Sequence, residues 1–546
     1  MSNVLDGLEI LVSRLGGTRL VEDYYAGATQ LSSFYAGYPW SLDAFARRAE
    51  QVKRASSQER AAVMQSAVQA TSPAAVDRLE RIAAGNGFVV TTGQQTGLFG
   101  GPLYTAYKIL TAVRLARTLE QALGVPVAPL FWVPADDHDW DEVNHVSVID
   151  AQNQMQRIVL AGAAEPAVSM ARHVVGAEIE PALDALSNAI PANDFSLEQL
   201  DVLRRAYDPR GSMAHAYRAL IARTFAPFDL LITSSSEPAL KRYSIPLIEH
   251  ELEHTSEHSA RLRSQTDRLI AAGYHEQVAI ATDAANLMYE DENGRERLMR
   301  EGSGWLLRRT KRYFDHDELL AIVRTEPERF SANVLLRPVV ESHTFPTLAY
   351  VGGPAELSYF AQTGCLFAAH DVAMPLVFPR VSIDLVEAKI RKVLDKFSLS
   401  PADLRRPFHE LASQIARDDL PESVRTALQA LRGDLTRDYA QLAAAAATID
   451  PTLKGPLESA RNAGHKQADE VERKILGHLK KQNEIGLEQL RKASTSLFPN
   501  GERQERAIGT INYLGRYGPA LLAGILDAVQ VQIDAAIEGW DGVRCA

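Results

Sequence analysis

The pattern of apolar and polar positions in the middle of the chain is typical of a β-α-β unit. A short β-branched run at 87–92 predicts a buried strand, and a glycine-rich segment at 93–102 follows it. A long helix is predicted from about Leu103 to Leu123, and a second strand at Val127–Val133. Strands joined through a helix are parallel, so the pattern predicts an α/β protein with a parallel sheet.

Three later segments are also short and apolar, and they predict further strands of this sheet at 229–234, 347–351 and 375–379. The stretches between the strands are too long for simple connections. We therefore expect inserted subdomains near 146–225 and 273–335, the second of them partly β. The first 85 residues are expected to be mostly helical.

Apolar residues recur at spacings of three, four and seven nearer the C-terminal end, at Val424, Leu428, Leu431, Leu435 and Leu442. Pro451 and Gly455 interrupt this pattern, and a second helical stretch with many charged residues runs to about Ser494. Two such helices joined by a Pro/Gly turn predict an antiparallel coiled-coil hairpin. An ordinary helical bundle is the alternative.

These patterns divide the chain into three expected parts. Residues 1–390 form the α/β core with its insertions, and residues 391–500 form the helical coiled-coil domain. Residues 501–546 form C-terminal helices, whose apolar stretch 511–533 is expected to pack back on the core.

Composition narrows the class of protein. The chain has 546 residues, 46% hydrophobic and 23% charged, which suits a soluble globular protein with a large core. Its two cysteines, Cys365 and Cys545, are too few for a disulfide framework or a Cys-rich zinc site. The net charge of −11 gives no general attraction to nucleic acid. Neither a signal peptide nor an apolar run of about 18–20 residues is apparent, so we expect a cytoplasmic protein without a membrane span.

The glycine-rich loop is the first candidate site. It lies at the carboxyl end of a predicted strand and before a helix, where α/β sheets bind ligands and helix N-termini attract anions. It matches neither a Walker A sequence nor GxGxxG, so a tight structural turn is the alternative. The residues expected to bind substrate or nucleotide here are Gln94, Gln95, Gly97, Gly100, Gly101, Tyr104 and Lys108.

A second cluster, Asp136–Asp137–His138–Asp139, follows the strand Val127–Val133 at the same expected edge of the sheet. Such residues can orient an amine, bind a metal through oxygen and imidazole, or act as a general base. A solvated acidic turn is the alternative interpretation. Nothing in the sequence fixes a third or fourth ligand, so no metal site is expected.

Two more groups follow later strands. Arg337 precedes the strand at 347–351 and could clamp a carboxylate or phosphate with two hydrogen bonds. Gly352, Gly353 and Glu356 follow that strand, and Glu356 could cap the next helix or contact an amine. Arg380 ends the strand at 375–379, where it could face a polyphosphate or form a surface ion pair.

The segment His250–Glu251–Leu252–Glu253–His254 matches HExxH, the signature of zinc proteases. On a continuous helix, 100° per residue places the apolar side chains opposite His254. His250, His254 and His258 then form a polar stripe, and we expect a solvated face rather than a zinc site.

Four sequence blocks resemble a known family: TTGQQTGLFGGPLYTAYK, FWVPADDHDWDEVNHV, FSANVLLRPVVESHTFPTLAYVGGPAELSYFAQ and MPLVFPRVS. They are similar to successive blocks of BshC, the cysteine-adding enzyme of bacillithiol biosynthesis. Long blocks that mix polar, glycine and proline residues are more specific than one short motif.

The resemblance implies a Rossmann-like core related to class I aminoacyl-tRNA synthetases, with connecting insertions and a coiled coil that supports a homodimer. It also implies a ligase that joins cysteine to the amine of glucosaminyl-malate. ATP is the activating co-substrate that such a core suggests. The His-Ile-Gly-His and KMSKS signatures of those synthetases are absent here, so the mode of activation stays open.

On this interpretation Asp137, His138 and Asp139 bind or deprotonate the substrate amine. The glutamines and glycines of the first loop hold its sugar, malate or phosphate part, and Arg337 and Arg380 face anionic groups. Cys365 is expected in an apolar helix rather than as a nucleophile. The alternatives are a nucleotide-dependent enzyme that activates another acid or transfers a nucleotidyl group, and a non-catalytic coiled-coil scaffold.

Overall fold

A computed structural model describes residues 5, 7–53, 57–162 and 166–537. Its β-strands are β1 (Leu8–Ser13), β2 (Gln69–Ala70), β3 (Phe88–Gly93), β4 (Val127–Val133), β5 (His145–Ile149), β6 (Met155–Val159), β7 (Leu231–Ser234), β8 (Ala284–Asp291), β9 (Gly294–Glu301), β10 (Gly304–Leu307), β11 (Tyr313–Phe314), β12 (Phe330–Ala332), β13 (Thr347–Gly352), β14 (Leu376–Pro379) and β15 (Ser382–Glu387).

Its α-helices are α1 (Arg19–Tyr25), α2 (Leu42–Lys53), α3 (Gln58–Ala67), α4 (Pro73–Ala83), α5 (Leu103–Leu123), α6 (Trp140–Val143), α7 (Ile179–Ala189), α8 (Asp194–Ala206), α9 (Met213–Phe225), α10 (Pro238–Tyr243), α11 (Ile245–Glu253), α12 (Thr255–Ala271), α13 (His316–Thr325), α14 (Arg337–Thr344), α15 (Pro354–Ala369), α16 (Ala388–Lys396), α17 (Phe408–Asp418), α18 (Glu422–Ala447), α19 (Lys454–Gln482), α20 (Glu484–Leu497), α21 (Gln504–Ala507), α22 (Thr510–Tyr517) and α23 (Ala520–Ile537).

The described residues form two compact units. One contains those up to Leu385 and from Glu505 onward, and the other is Val386–Gln504. A six-stranded sheet in the order β14-β13-β3-β4-β7-β2 organises the first unit. The first five of these strands are parallel, and β2 pairs antiparallel with β7. The α/β prediction is confirmed, including a strand at each predicted position.

Helix α5 is the centre of the core. It begins at Leu103 and ends at Leu123, as predicted, and Gly124 closes it in the left-handed conformation. It packs on β3, β4 and α23, and most of its side chains are buried. Being covered on several sides explains why its sequence is apolar nearly all round.

The two long insertions fold differently. The first contains the β5-β6 hairpin and helices α7, α8 and α9. The second contains a five-stranded antiparallel sheet in the order β11-β10-β9-β8-β12, which agrees with the partly β character expected there. Helices α1 to α4 make the described part of the first 85 residues mostly helical, as expected, and β1 and β2 are short strands that the sequence did not indicate.

The C-terminal helix α23 packs on α5 and β1, as its apolar sequence predicted. Its length of 18 residues and mean hydropathy of 1.5 also meet the requirement for a bilayer span, contrary to the sequence expectation. Leu521, Val529 and Ile533 are fully buried in the first unit. Such burial is typical of a core helix.

In the second unit, α18 and α19 form the predicted antiparallel pair. Arg432 Nη2 lies 2.7 Å from Asp469 Oδ1, and Thr436 Oγ1 lies 3.2 Å from His465 Nε2. Contacts thus move backward along one helix as they move forward along the other. Two details differ from the sequence expectation, because Gly455 lies inside α19 and a break at Asn483 separates α19 from α20.

The glycine-rich loop has a backbone that only glycine adopts easily. Gly101 has φ 69° and ψ −166°, and Gly100 also has a positive φ of 94°. The segment before α22 locks this loop in place. Leu103 N donates to Ile508 O at 2.9 Å, and Thr510 N donates to Gly101 O at 3.1 Å. The loop therefore joins the start of α5 to the C-terminal helices.

We expect Gly101→Ala to lower the free energy of unfolding by about 1–3 kcal/mol, because alanine is strained at this φ and ψ. Gly124→Asn is the matched control, since its φ of 66° and ψ of 17° lie in the left-handed region that asparagine tolerates. Urea unfolding midpoints measure both effects. A midpoint for Gly101→Ala no lower than that of Gly124→Asn would contradict the assignment.

Candidate active site

A cavity of about 780 Å³ lies in the first unit at the carboxyl edge of the parallel sheet. Residues at or just after the ends of β3, β4, β7, β13 and β14 line it: Gly93, Pro134, Ser235, Gly353 and Arg380. Ligands of open α/β sheets bind at this edge. The cavity is therefore the candidate active site, and it brings together side chains from both halves of the sheet.

Asp137 anchors an acidic part of the wall. Its Oδ1 accepts a hydrogen bond from His138 N at 2.8 Å, and its Oδ2 accepts one from Gln95 Nε2 at 3.0 Å. Gln95 Nε2 also donates to Glu142 Oε2 at 2.6 Å. Burial raises the pKa of Glu142, and the charges of Asp137 and Asp139 act in the same direction against the Gln95 hydrogen bond. This cluster favours a positively charged group.

Asp139 has a different position from Asp137. Its carboxylate accepts a hydrogen bond from Glu142 N at 3.3 Å and caps α6. It lines a second, shallower cavity of about 460 Å³ that shares Gln95, Asp137, His138 and Glu142 with the first. Asp139 is absent from the wall of the larger cavity, so it contributes to the acidic cluster from its outer side.

His138 is oriented by an arginine from the second insertion. Arg295 Nη1 lies 3.1 Å from His138 Nδ1. A guanidinium only donates, so Nδ1 holds a lone pair and the ring proton of neutral His138 is on Nε2. Burial lowers the pKa of His138, and the Arg295 charge lowers it further. His138 is thus arranged to donate a hydrogen bond from Nε2 rather than to accept a proton.

Hydrogen bonds to two residues of β12 fix the position of Arg295. Its Nε donates to Ser331 Oγ at 2.9 Å, and its Nη2 donates to Ala332 O at 3.3 Å. Lys241 on α10 is held in a similar way, by Asp136 Oδ1 at 2.8 Å and Phe330 O at 2.7 Å. Both cations line the cavity.

The sequence interpretation included neither Lys241 nor Arg295. Ser235, whose Oγ accepts a hydrogen bond from Asp136 N at 3.1 Å, was also missed. Ser235 directly follows a predicted strand, so the rule applied to Asp137 would have identified it. Arg295 lies in the charged stretch of β9, far along the chain from the sheet, and its sequence carries no signal of this role.

Lys108 and Glu356 form a buried ion pair across another part of the wall. Lys108 Nζ lies 2.7 Å from Glu356 Oε1 and also donates to Gln94 Oε1 at 2.9 Å. Burial alone would raise the pKa of Glu356, but the Lys108 charge and hydrogen bonds outweigh it and lower the pKa. Glu356 Oε2 accepts Gly353 N at 2.6 Å, so it caps α15 as well.

Tyr104 and Gln94 continue this part of the wall. Gln94 Nε2 donates to Tyr104 Oη at 3.1 Å. The guanidinium carbons of Arg380 and Arg506 lie 5.3 and 5.8 Å from the centre of the Tyr104 ring. Positive charge therefore gathers around one aromatic ring.

Arg337 and Arg380 line the cavity but are already paired. Arg337 Nη1 lies 2.9 Å from Glu341 Oε2, and its Nη2 donates to Tyr359 Oη at 2.6 Å. Arg380 makes two hydrogen bonds to Glu505, at 2.9 and 3.0 Å, and is only 2% exposed. The surface ion pair considered for Arg380 is thus wrong, because this pair is buried.

The glycines of the first loop do not line the cavity. Gly97, Gly100 and Gly101 are buried, and the first N–H of α5 is taken by Ile508 O. The expected anion cradle at these glycines is therefore contradicted by the geometry, and the glycines serve the turn. Gly352 is also absent from the wall. Its carbonyl oxygen accepts a hydrogen bond from Arg380 N at 2.9 Å.

The HExxH segment is not the solvated helix face that its spacing predicted. Helix α11 ends at Glu253, His254 has φ −111° and ψ 16°, and α12 begins at Thr255. The 100° count fails across this break. His258 and Glu251 are buried, with His258 Nδ1 2.6 Å from Glu251 Oε2.

Cys365 lies half-buried in α15, as expected for an apolar helix. Burial raises the pKa of its thiol to about 11, so it is protonated and unreactive at neutral pH. Cys545 lies outside the described residues.

Cations outnumber carboxylates in the wall of the large cavity, although Glu341 and Glu505 from outside the wall pair with Arg337 and Arg380. Of the described residues in its wall, seven are Lys or Arg and four are Asp or Glu: Lys108, Lys241, Arg295, Arg297, Arg337, Arg380 and Arg506, against Asp136, Asp137, Glu142 and Glu356. This balance favours an anionic ligand, and the Asp137–Glu142 cluster adds a place for an amine.

Comparison with known families and proteins agrees with this architecture. Residues 8–381 match the family model described as "Bacillithiol biosynthesis BshC, N-terminal Rossmann-like domain". Residues 383–532 match "Bacillithiol biosynthesis BshC, C-terminal coiled-coil domain".

Curated relatives are similar over most of their length. Three proteins named "Putative cysteine ligase BshC" illustrate this. Identity is 32% with the Salinibacter ruber protein, over 84% of this chain and 83% of the relative. It is 31% with the Koribacter versatilis protein, over 95% of each chain. It is 34% with the Symbiobacterium thermophilum protein, over 82% of each. Together with the two domain matches, these similarities show that the chain belongs to the BshC family of bacillithiol biosynthesis.

Proposed function

We propose that this protein is a ligase that joins the carboxyl group of cysteine to the amine of glucosaminyl-malate, forming an amide in the last step of bacillithiol biosynthesis. The observation that carries the proposal is the division of charge in one cavity. An acidic cluster around Asp137 suits the amine, and a larger set of cations suits the malate carboxylates or a phosphate.

Amide formation requires a neutral amine and an activated carboxyl group. Asp137 is the proposed general base, because its carboxylate faces the cavity and Gln95 and His138 N fix its orientation. It takes a proton from the ammonium group before the amine nitrogen attacks. Glu142 shares Gln95 with Asp137 and keeps the local field favourable for the cationic form that enters the site.

His138 is proposed to act as a donor. Its Nε2–H can bind the carboxyl oxygen on which negative charge develops, because Arg295 holds Nδ1. Preorganised donors of this kind stabilise a developing oxyanion strongly in a site that excludes water. The neutral state follows from the lowered pKa, so this role requires no proton exchange by His138.

The cations of the other wall are proposed to bind the anionic groups. Arg506 is exposed, and among the described residues it has no hydrogen bond or ion pair, so it is available to a ligand. Lys108, Arg337 and Arg380 are paired with carboxylates, which fixes their positions and supports a preorganised wall. Lys108 uses all three of its N–H donors, on Gly93 O, Gln94 Oε1 and Glu356 Oε1. The remaining N–H groups of Arg337 and Arg380 are therefore the candidates for contacts with malate.

ATP is the proposed co-substrate that activates the cysteine carboxyl group. Activation joins a phosphate or nucleotide to one oxygen of the carboxyl group. When the amine nitrogen attacks the carboxyl carbon, the phosphate or nucleotide leaves together with that oxygen. Lys241, Arg295 and Arg297 are the cations of the cavity wall that we propose bind this phosphate or nucleotide. A nucleotide-dependent enzyme acting on another acid would use the same cations, so cysteine dependence distinguishes the two functions.

A thiol profile of a strain lacking this gene tests the proposal in the cell, and it also separates a ligase from a non-catalytic scaffold. We expect bacillithiol to disappear and glucosaminyl-malate to accumulate. An unchanged profile would argue against the ligase. The reaction uses small cytoplasmic metabolites, and a cytoplasmic location is part of the proposal.

A homodimer formed through the α18–α19 pair is also proposed. Leu431, Leu442 and Val471 are 44%, 51% and 48% exposed on these helices. Apolar residues repeated along one helical pair are typical of a surface that another chain covers.

Charge on this surface is expected to dissociate the dimer. Leu442→Asp combined with Val471→Asp should shift the mass measured by light scattering from that of two chains to the 60.0 kDa of one. Leu197→Asp is the control, because Leu197 is 63% exposed on α8 in the other unit. A double variant that keeps the mass of the unmodified protein would contradict the proposed surface.

Asp137→Asn is expected to reduce kcat by about 10²–10⁴-fold, the usual effect of removing a general base. The single oxygen of the amide can keep the contact from His138 N, and the contact from Gln95 Nε2 is lost. Because the Asp137 side chain is partly exposed, the melting temperature should change little. Asp184→Asn on the exposed surface of α7 is the control. Equal turnover of Asp137→Asn and the control would contradict the role of Asp137 as the general base.

Arg295→Met should move the acidic limb of the pH–rate profile to higher pH. Burial and the Arg295 charge lower the pKa of His138, so the neutral ring persists to a pH below its usual value of about 6.5. Without this charge the ring protonates sooner as pH falls, and activity is lost earlier. Arg297→Met is the control, because it removes an arginine from the same strand and cavity without touching His138. Identical acidic limbs in the two variants would contradict the link between Arg295 and His138.

A further inference from the structure

Histidines and carboxylates gather at the junction of α11 and α12, away from the wall of the large cavity. The ring centres of His250 and His254 are 4.2 Å apart, and those of His250 and His370 are 5.0 Å apart. Ile248 on α11 lines the cavity, whereas His250 and His254 do not. The cavity and this cluster therefore lie against different faces of α11.

Three side chains of the cluster offer ligand atoms close together. One nitrogen each of His250 and His254 and one carboxylate oxygen of Glu253 all lie within 4.8 Å of one another. A zinc ion binds imidazole nitrogen and carboxylate oxygen at about 2.0–2.2 Å. Three ligand atoms this close together can reach one ion at these distances after small side-chain rotations.

Hydrogen bonds to backbone carbonyls set the tautomers of both histidines. His250 Nε2 lies 3.1 Å from Ala369 O, and His254 Nδ1 lies 3.1 Å from His250 O. A carbonyl only accepts, so these nitrogens carry the protons and the other two, His250 Nδ1 and His254 Nε2, hold lone pairs. Metal-binding histidines are usually oriented by such a second hydrogen bond.

Glu253 is free to join them. It is exposed, and within the described ranges of the chain it makes no hydrogen bond or ion pair. In a zinc protease the glutamate that follows the first histidine would be the general base. Here that residue, Glu251, is instead fully buried and bonded to His258 and His370, so the set is His250, Glu253 and His254.

Glu251 supports the cluster through buried hydrogen bonds. Its Oε2 lies 2.6 Å from His258 Nδ1 and 3.3 Å from His370 Nε2, and its Oε1 accepts Asn286 N at 3.0 Å. These bonds join α11, α12, β8 and His370, the residue that follows α15. The segment around the break at His254 is thereby anchored to its neighbours.

We propose that His250, Glu253 and His254 bind one divalent transition metal of the zinc class, with a fourth position open to water. The site is separate from the proposed ligase cavity. Two imidazoles and one carboxylate suit zinc better than magnesium or calcium, which prefer oxygen ligands. The metal would tie the end of α11 to the start of α12.

Calorimetric titration of the full-length, chelator-treated protein with zinc chloride tests the proposal. One zinc ion per chain is expected. Glu253→Gln should weaken binding by about tenfold or more, because even the loss of an outer partner of a metal ligand costs about 10–100-fold. Glu253 is exposed and unpaired among the described residues, so this variant should keep its fold and melting temperature.

His254→Ala should show the same loss, and Glu257→Gln is the matched control, an exposed glutamate one turn along that is paired with Arg261. Cobalt(II) absorption gives a second readout, with visible bands expected in the unmodified protein and lost in Glu253→Gln. Failure of the unmodified protein to bind one zinc ion, or equal affinity of Glu253→Gln and Glu257→Gln, would overturn the proposal. Neither result bears on the ligase, whose cavity these variants leave intact.

Discussion

Pairing of buried charge is the constraint on which the site depends. A buried lysine or arginine is tolerated only with a partner, because taking a charge out of water is costly. Three such pairs in the cavity wall join distant parts of the chain: Lys108–Glu356, Lys241–Asp136 and Arg380–Glu505. A fourth, Arg337–Glu341, lies within α14. These pairs hold the cations in fixed positions before any ligand arrives.

The same constraint gives the cavity its two characters. The excess positive charge of the wall comes from Arg295, Arg297 and Arg506, which form no ion pair among the described residues. Asp137 and Glu142 share one neutral partner, Gln95, and keep their negative charge close together. A substrate that carries both an amine and carboxylates can satisfy both parts at once. His138 adds a hydrogen-bond donor to this site. Arg295 contacts Nδ1 of His138, so the ring proton is on Nε2.

Local patterns predicted the elements well and their long-range contacts poorly. The bounds of α5 and β4 follow from apolar runs that end at Gly124 and at the Pro134 turn, and both were predicted from sequence. The role of the glycine loop was misread because its partner, the segment around Ile508, lies about four hundred residues away. The histidines of the HExxH segment were misplaced since a break at His254 interrupts the helical period.

The most direct measurement of the central claim uses the purified protein with cysteine, glucosaminyl-malate and ATP, with mass spectrometry of the products. The account predicts an amide whose mass is the sum of the two substrates less one water. It also predicts that glucosaminyl-malate with an acetylated amine gives no product, because the nucleophile is then blocked. Amide formation from the acetylated compound, or no amide from a folded protein that turns over ATP with another acid, would contradict the account.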